Sequence, residues 1–127
     1  MEYLLDTITI IRHFTDIGKI GSQAKKILDS KENNSFIISV ISLMEILYLS
    51  EKKRIRISLK ETLKKIDSSS MYTVVDLTSD ILKIAETVDF YEMHDRLILS
   101  TAKWLKIPVI SGDSKFKEVN DIKVIWN

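Results

Sequence analysis

Residues 93–116, MHDRLILSTAKWLKIPVISGDSKF, predict a helix that leads directly into a strand and a turn. Apolar residues at helical spacing predict the helix over His94–Lys106. The apolar run Ile107–Ser111 predicts a buried strand, and Gly112 predicts a turn after it. Helices that alternate with such strands are typical of parallel pairing with right-handed crossovers. This stretch therefore indicates an α/β fold.

The same alternation continues towards both ends of the chain. Short apolar, β-branched runs predict strands at Glu2–Asp6, Ser35–Ser39, Tyr72–Leu77 and Val124–Trp126. Helical spacing predicts helices at 7–16 and 22–30, one from Val40 or Ser42, one through Leu59, Leu63 and Ile66, one around 81–85, and a helical turn over 114–119. We expect one domain, 1–127, of three layers: a mostly parallel central sheet of about five strands flanked by helices.

The composition narrows the class of protein. Hydrophobic residues make up 45% and charged residues 29% of the 127 residues, which is typical of a globular chain. The absence of cysteine excludes disulfides, a thiolate zinc site and a cysteine nucleophile, and it favours a reducing cytoplasm. Two histidines exclude a histidine-rich metal site. No apolar run of about 18 residues occurs, so we expect no membrane segment and no export.

Two aspartates follow predicted strands. Asp6 ends the first strand, and Asp113 follows Ile107–Ser111 across Gly112. In an open parallel sheet, ligands bind beyond the carboxyl ends of the strands, so both carboxylates are expected at that edge. Taken alone, each aspartate would more often be a helix N-cap or a turn residue.

Glu45 is surrounded by apolar residues on its predicted helix. Its neighbours one turn away include Ile41, Ser42 and Leu49. A carboxylate in such a stripe needs a partner or a metal, because unpaired burial costs several kcal/mol. The alternative is a capping box in which Ser42 is the N-cap and Glu45 reaches back to it. The choice depends on whether the helix begins at Ser42 or after Ser39, and both remain open.

The fourth candidate acid is Asp95, which lies in the first turn of the predicted helix His94–Lys106. The alternative role there is a favourable interaction with the helix dipole. Hard cations such as Mg²⁺ and Mn²⁺ prefer oxygen ligands and are often held by carboxylates together with substrate phosphates. Such ions polarise a phosphate and activate water. Three or four acids on one sheet edge could hold one or two such ions, and no Gly-rich phosphate loop or zinc-protease motif competes with this interpretation.

The sequence resembles the PIN domain, and within it the VapC-type toxins of prokaryotic toxin–antitoxin pairs. The resemblance covers nearly the whole chain and rests on YLLDT (3–7), SVISLMEI (39–46) and the stretch 93–116. In the last of these, family members run a similar HDR-apolar-apolar-x-(A/S)-T-A helix into a strand and an (S/T)-x-D-x-x-F turn. The resemblance implies a PIN-like fold and a Mg²⁺- or Mn²⁺-dependent endoribonuclease, the toxin of a type II system.

The resemblance also assigns residues. It carries the catalytic and metal-binding acids onto Asp6, Glu45, Asp95 and Asp113, and the hydroxyls that orient them onto Thr7, Ser42 and Ser111. All four acids are present. The one departure is Ser111-Gly112 in place of the more usual threonine pattern, and it concerns the role of Ser111 only.

A surplus of basic residues and of apolar residues on the helices indicates that the chain binds other molecules. With four carboxylates on metal, 19 basic residues face 14 acidic ones, which is +5 and suits a polyanionic partner. Lysines and arginines are usually solvated, but in a nuclease some would hold the RNA backbone, here Lys52, Lys53, Arg54, Arg56, Lys115 and Lys117. Apolar residues at 41–49 and at Ile10, Ile11 and Phe14 exceed what a monomer of this size needs. The resemblance implies a homodimer and a cognate antitoxin as the partners.

Two alternative classes remain. A receiver-like phospho-signalling domain has a similar length and a Mg²⁺-binding acidic pocket, but it pairs adjacent acids after the first strand. Here Leu5 precedes Asp6, and Asp76 lies within a predicted strand. The other alternative is a catalytically inactive PIN-like module that binds RNA or protein.

Overall fold

The structure is a computed structural model that describes residues 1–127 as alternating strands and helices. The elements in chain order are β1 (Glu2–Leu5), α1 (Thr7–Thr15), α2 (Ser22–Asp29), β2 (Ser35–Ser39), α3 (Val40–Glu51), α4 (Leu59–Asp67), β3 (Tyr72–Val75), α5 (Ser79–Ala85), α6 (Met93–Leu105), β4 (Val109–Ile110), a short 3₁₀ helix (Ser114–Glu118) and β5 (Val124–Ile125).

Five parallel strands form one sheet in the order β3-β2-β1-β4-β5. The predicted α/β class and strand number are thus confirmed. The chain adds strands on one side of β1 as far as β3 and then returns to the other side for β4 and β5. The strand order therefore reverses between β1 and β4, and a crevice opens at such a switch point beyond the carboxyl ends of the strands. A receiver domain has the order 2-1-3-4-5, so this topology excludes that alternative.

Two hydrophobic cores cover the two faces of the sheet. Alternate strand residues point to opposite faces, so that Leu5 and Ile38 pack with α1, α2, α3 and α4, while Leu4 and Ile37 pack with α5 and α6. Strands that are covered on both faces have nearly continuous apolar sequences, such as YLL within β1 and FII within β2. The expected three-layer arrangement is confirmed.

Strand ends differ from the predicted ones for local reasons. β4 begins only at Val109, because the Ile107 amide closes α6 by donating to Ala102 and Pro108 has no amide hydrogen. β3 ends at Val75, because its paired residue Ser39 is where β2 passes into α3.

The structure shows where the two helices that carry Glu45 and Asp95 begin. α3 begins at Val40, and the side chain of Ser39 accepts a hydrogen bond from the Ile41 amide. The capping box between Ser42 and Glu45 is therefore wrong. α6 begins at Met93, one residue earlier than predicted.

One part of the expected apolar surface is also wrong. Ile10 and Phe14 belong to the core, and Ile11 packs against it. The large apolar side chains exposed near the carboxyl edge are instead Ile8 on α1 and Met44, Leu47 and Tyr48 on α3. None of the helices has the length and apolar character that crossing a membrane requires.

Candidate active site

A cleft of about 420 Å³ lies at the switch point between β1 and β4, and all four predicted acids line it. Each acid comes from a different segment, because Asp6 follows β1, Glu45 lies on α3, Asp95 on α6 and Asp113 follows β4. The remaining lining residues are Thr7, Ile8, Arg12, Leu49, Gly112, Phe116 and Trp126. The geometry thus brings together the acids that the sequence spreads over more than 100 residues.

Asp6 has a local role as well as a place in the cleft. It is the N-cap of α1, since its Oδ1 accepts a hydrogen bond from the Thr9 amide at 2.8 Å. Its Oδ2 accepts a hydrogen bond from the hydroxyl of Ser111. Burial raises the pKa of Asp6, and the hydrogen bonds from Ser111 and Thr9 oppose that rise. The capping and cleft roles coexist because each carboxylate oxygen has two acceptor sites.

Ser111 connects two of the acids through one hydroxyl. It donates to Asp6, and the same oxygen accepts from the Asp113 amide at 3.1 Å. The Asp113 carboxylate in turn accepts from the Lys115 amide at 2.9 Å and caps the 3₁₀ helix. The buried Ser111 therefore sets the relative position of the first and fourth acids.

Glu45 is held by a pair of hydroxyls from two elements. The hydroxyl of Thr7 lies 2.6 Å from Glu45 Oε1 and 2.9 Å from the hydroxyl of Ser42. Thr7 has one hydroxyl hydrogen and a carboxylate only accepts, so Thr7 donates to Glu45 and receives the hydrogen of Ser42. Burial raises the pKa of Glu45, and the hydrogen bond from Thr7 opposes it.

Asp95 is the acid of the cleft whose pKa is raised close to neutral pH. Burial, the largest cause, and the negative charges of Glu92, Glu45, Asp113 and Asp6 together raise its pKa to about 7. The N-cap of α6 is Glu92, whose carboxylate accepts from the Asp95 amide at 3.2 Å. The Asp95 carboxylate is therefore not the helix cap.

The four carboxylates line one cleft, but their oxygens are too far apart to contact a single ion together. No three of them have ligand oxygens that all lie within 4.8 Å of one another. The one group that meets this spacing is Glu45, Glu92 and His94, in which His94 Nδ1 lies 3.0 Å from Glu92. Direct ligation of one ion by all four acids would thus require a shift of side chains, whereas ions that keep water molecules can bridge wider gaps.

Sequence reasoning missed three residues at or beside this site. Glu92 lies three residues before Asp95, the spacing of an N-cap and its third helical residue, but glutamate is not a favoured N-cap residue and gives no signal in the sequence. Arg12 and Trp126 line the cleft without any motif that marks them. Trp126 is placed by packing, since a side chain on Gly112 would lie 2.8 Å from its ring.

The predicted basic residues fall into three places. Arg54 and Arg56 line a groove beside the cleft. Lys52 lies over the ring of Tyr48 at 5.8 Å, and Lys53 is exposed next to it. Lys115 and Lys117 are exposed on the 3₁₀ helix that Asp113 caps.

Comparisons with known proteins agree with this architecture. The PIN domain matches residues 3–122, and no curated protein matches the sequence. VapBC2 from Rickettsia felis, bound to a DNA fragment from its promoter, is similar over 100% of both chains, with a TM-score of 0.75 and 20% identity. DNA-bound VapBC from Salmonella typhimurium covers 98% of this chain and 97% of its own, with a TM-score of 0.72 and 18% identity.

VapC20 from Mycobacterium tuberculosis, a toxin that cleaves the sarcin–ricin loop, covers 91% of this chain and 93% of its own, with a TM-score of 0.67 and 18% identity. At these identities the solved structures establish the shared fold. The match to the PIN domain spans nearly the whole chain. With its five parallel strands and the acidic cleft at their carboxyl edge, this chain belongs to the PIN domain family.

Proposed function

We propose that this chain is a Mg²⁺- or Mn²⁺-dependent endoribonuclease and the toxin of a type II toxin–antitoxin pair. The observation that carries the proposal is the cleft at the switch point, which four carboxylates from four separate segments line. Buried or half-buried acids that repel one another destabilise a fold, so their assembly is expected to serve a ligand that offsets the charge.

The donor set fits a hard divalent cation. Asp6, Glu45, Asp95 and Asp113 offer only oxygen, and Mg²⁺ and Mn²⁺ prefer oxygen ligands while keeping several waters. These four residues would hold the metal, which supplies polarisation of the scissile phosphate and activation of water when it is bound.

The residues around the acids position them. Ser111 spaces Asp6 from Asp113, and the Ser42–Thr7 hydroxyl pair orients the Glu45 carboxylate. Hydrogen bonds from such partners hold metal-binding carboxylates in one rotamer. Asp95 differs, because its oxygens have no such partner and its pKa of about 7 places its proton loss near neutral pH.

RNA is the proposed substrate, and the exposed cations around the cleft are its proposed backbone contacts. Arg54 and Arg56 lie beside the cleft, and Lys115 and Lys117 follow Asp113. Lys52 is the C-cap of α3, the helix that carries Glu45, and Lys53 follows it. Such phosphate contacts are blind to sequence and weaken with salt.

A cognate antitoxin and a second copy of the chain are the proposed protein partners. The similar solved structures of Rickettsia felis and Salmonella typhimurium are VapBC complexes. An antitoxin that covers an acidic cleft would place an arginine or lysine among the carboxylates, where it takes over the charge of the metal. We also propose that the exposed apolar side chains of α3 form the contact between two copies.

The test is a cleavage assay on total RNA with purified protein and Mn²⁺ or Mg²⁺. We expect cleavage that stops with a chelator and in Asp113→Asn. Asp89→Asn, which changes an exposed aspartate outside the cleft, serves as the matched control and should cleave normally. Absence of cleavage by the wild-type protein would favour the inactive binding module, and equal cleavage by Asp113→Asn would contradict the assigned site.

A further inference from the structure

A second groove, of about 370 Å³, adjoins the acidic cleft. It lies between the end of α1 and the connection from α3 to α4, and the residues that line it include Ile11, Arg12, Ile17, Arg54, Ile55 and Arg56. We call it the arginine groove. Ile8 and Arg12 line both the cleft and the arginine groove, so the two are continuous.

Arg12 is held in place where the two depressions meet. Its Nη1 donates to the carbonyl of Lys19 at 2.9 Å. Gly18 has φ +90°, and a side chain on it would come within 2.9 Å of Arg12 Nε. The bare backbone of Gly18 therefore leaves room for the guanidinium, and the contacts hold it in one position.

The charge of Arg12 is not used inside the protein. It forms no ion pair with any carboxylate, although it lines the same cleft as four of them. A guanidinium has five N–H donors, and the carbonyl of Lys19 accepts from only one nitrogen. A half-buried arginine with free donors at the edge of an acidic cleft offers a place for an anionic group that the carboxylates themselves would repel.

The rest of the groove suits a nucleic acid strand. Arg54 and Arg56 add two exposed cations, while Ile11, Ile17 and Ile55 add apolar surface to the same groove. Guanidinium groups are suited to binding phosphates, and apolar side chains offer a surface against which the faces of bases can pack.

We infer that the RNA strand leaves the acidic cleft across Arg12 and continues through the arginine groove, with Arg12 binding a phosphate beside the scissile bond. This inference rests on the proposed ribonuclease function. Arg12 is then a positioning residue, which holds the strand in register over the acids and does not contact the reacting bond. Arg54 and Arg56 bind phosphates further along the same side of the strand.

The test compares Arg12→Gln with Lys123→Gln, which removes one exposed positive charge just before β5, at the opposite edge of the sheet. Binding of a fluorescent single-stranded RNA is measured by anisotropy at several salt concentrations, and cleavage of the same RNA is measured with Mn²⁺. For Arg12→Gln we expect Kd and KM to rise about 10-fold, kcat to change by less than about 3-fold, and the salt slope to fall by about 0.7 to 1. Lys123→Gln should match the wild type.

A second arm keeps the test valid if Arg12→Gln folds poorly. Arg54→Gln with Arg56→Gln removes two exposed cations from the groove and should also raise Kd and KM. RNA shortened stepwise from each end should lose the difference between wild type and Arg12→Gln only when the end in the groove is removed.

The outcomes separate this inference from the proposed function. Binding without cleavage by the wild-type protein would refute the nuclease and leave the Arg12 comparison intact. Cleavage with unchanged Kd, KM and salt slope in Arg12→Gln would overturn only the RNA path. Unchanged RNA binding and KM in Arg54→Gln with Arg56→Gln would also overturn it, because the groove would then not hold the strand.

Discussion

At the scale of single residues, the hydroxyl of Ser111 links two of the four acids of the cleft. It joins the carboxylate of Asp6 to the backbone of Asp113, although the sequence here departs from the usual threonine pattern. A serine provides the same oxygen as a threonine, so the departure leaves the hydrogen bonds intact.

Ser111→Ala removes both hydrogen bonds and frees the two acids to move apart. We predict a loss of about 10- to 100-fold in metal affinity or cleavage rate, the usual cost of losing an orienting partner. Ser111→Thr should retain activity. Ser100→Ala, which removes a buried hydroxyl bonded to the Arg96 carbonyl, is the control. Metal titration followed by RNA cleavage measures the effect, and equal activity of Ser111→Ala and wild type would speak against the bridging role.

Asp95 illustrates a conflict between stability and function. Its pKa of about 7 shows that the folded chain holds this proton more tightly than the unfolded chain, where the ordinary value is 3.8. The free energy of unfolding of the metal-free protein therefore falls, through this group, as pH rises from about 4 to about 7. The proton on Asp95 also competes with a cation for the same oxygens.

Asp95→Asn should abolish cleavage and leave the melting temperature unchanged or higher by about 2 to 5 °C at pH 8 without metal. It should also flatten the loss of stability between pH 4 and 7. In the wild-type protein, Mg²⁺ should raise the melting temperature more at pH 8 than at pH 6. Thermal melts across this pH range test all three, and a large drop in melting temperature for Asp95→Asn would mean that the acid stabilises α6.

At the scale of elements, the residue that follows β5, Trp126, packs closely against two glycines of other segments. The backbone carbonyl of Trp126 accepts from the Ala24 amide of α2, and a side chain on Gly21 would lie 2.3 Å from that carbonyl oxygen. The ring of Trp126 lies against Gly112. The close approach of these backbones brings an aromatic side chain to the edge of the cleft.

The two glycines should therefore respond differently to alanine. Gly21→Ala clashes with backbone, and we predict a loss of about 1 to 3 kcal/mol in the free energy of unfolding. Gly112→Ala clashes with the ring of Trp126, which can move more easily than a strand, so cleavage should fall more than stability does. Chemical denaturation and the RNA cleavage assay measure the two effects. A Gly21→Ala protein as stable as wild type would contradict the close packing of α2 on β5.

At the scale of the whole molecule, apolar residues on α3 remain exposed beside the cleft. Met44 is 45%, Leu47 39% and Tyr48 53% exposed. Met44 and Tyr48 also line a pocket with Glu45, Leu49 and His94. Exposed apolar side chains that form a contiguous patch are typical of an interface.

We predict that the isolated chain is a dimer of about twice its 14.7 kDa mass in solution. Tyr48→Glu places a charge in the patch and should give monomers. Leu82→Glu, at an exposed leucine of α5, should leave the dimer intact. Light scattering at micromolar concentration measures the mass, and a wild-type mass of 14.7 kDa would refute the dimer.

How much of this could be predicted from the sequence depends on the range of the interactions. The order of strands and helices was predictable because apolar spacing is a property of neighbouring residues. The four acids were identifiable partly by resemblance. They were also identifiable because each lies at the end of a strand or on a helix, and neighbouring residues are enough to predict those elements. Their metal and catalytic roles remain predictions.

The tertiary structure decided what depends on distant segments meeting. The crossover after β3 places β4 beside β1, and this alone brings Asp6 and Asp113 to one crevice. Packing decided that Ile10 and Phe14 lie inside while Tyr48 lies outside, and it brought Arg12 and Trp126 to the cleft. The raised pKa of Asp95 likewise arises from burial and from charges contributed by separate elements. Local patterns carry no information on such distances, because these follow from strand order and from the packing of the layers.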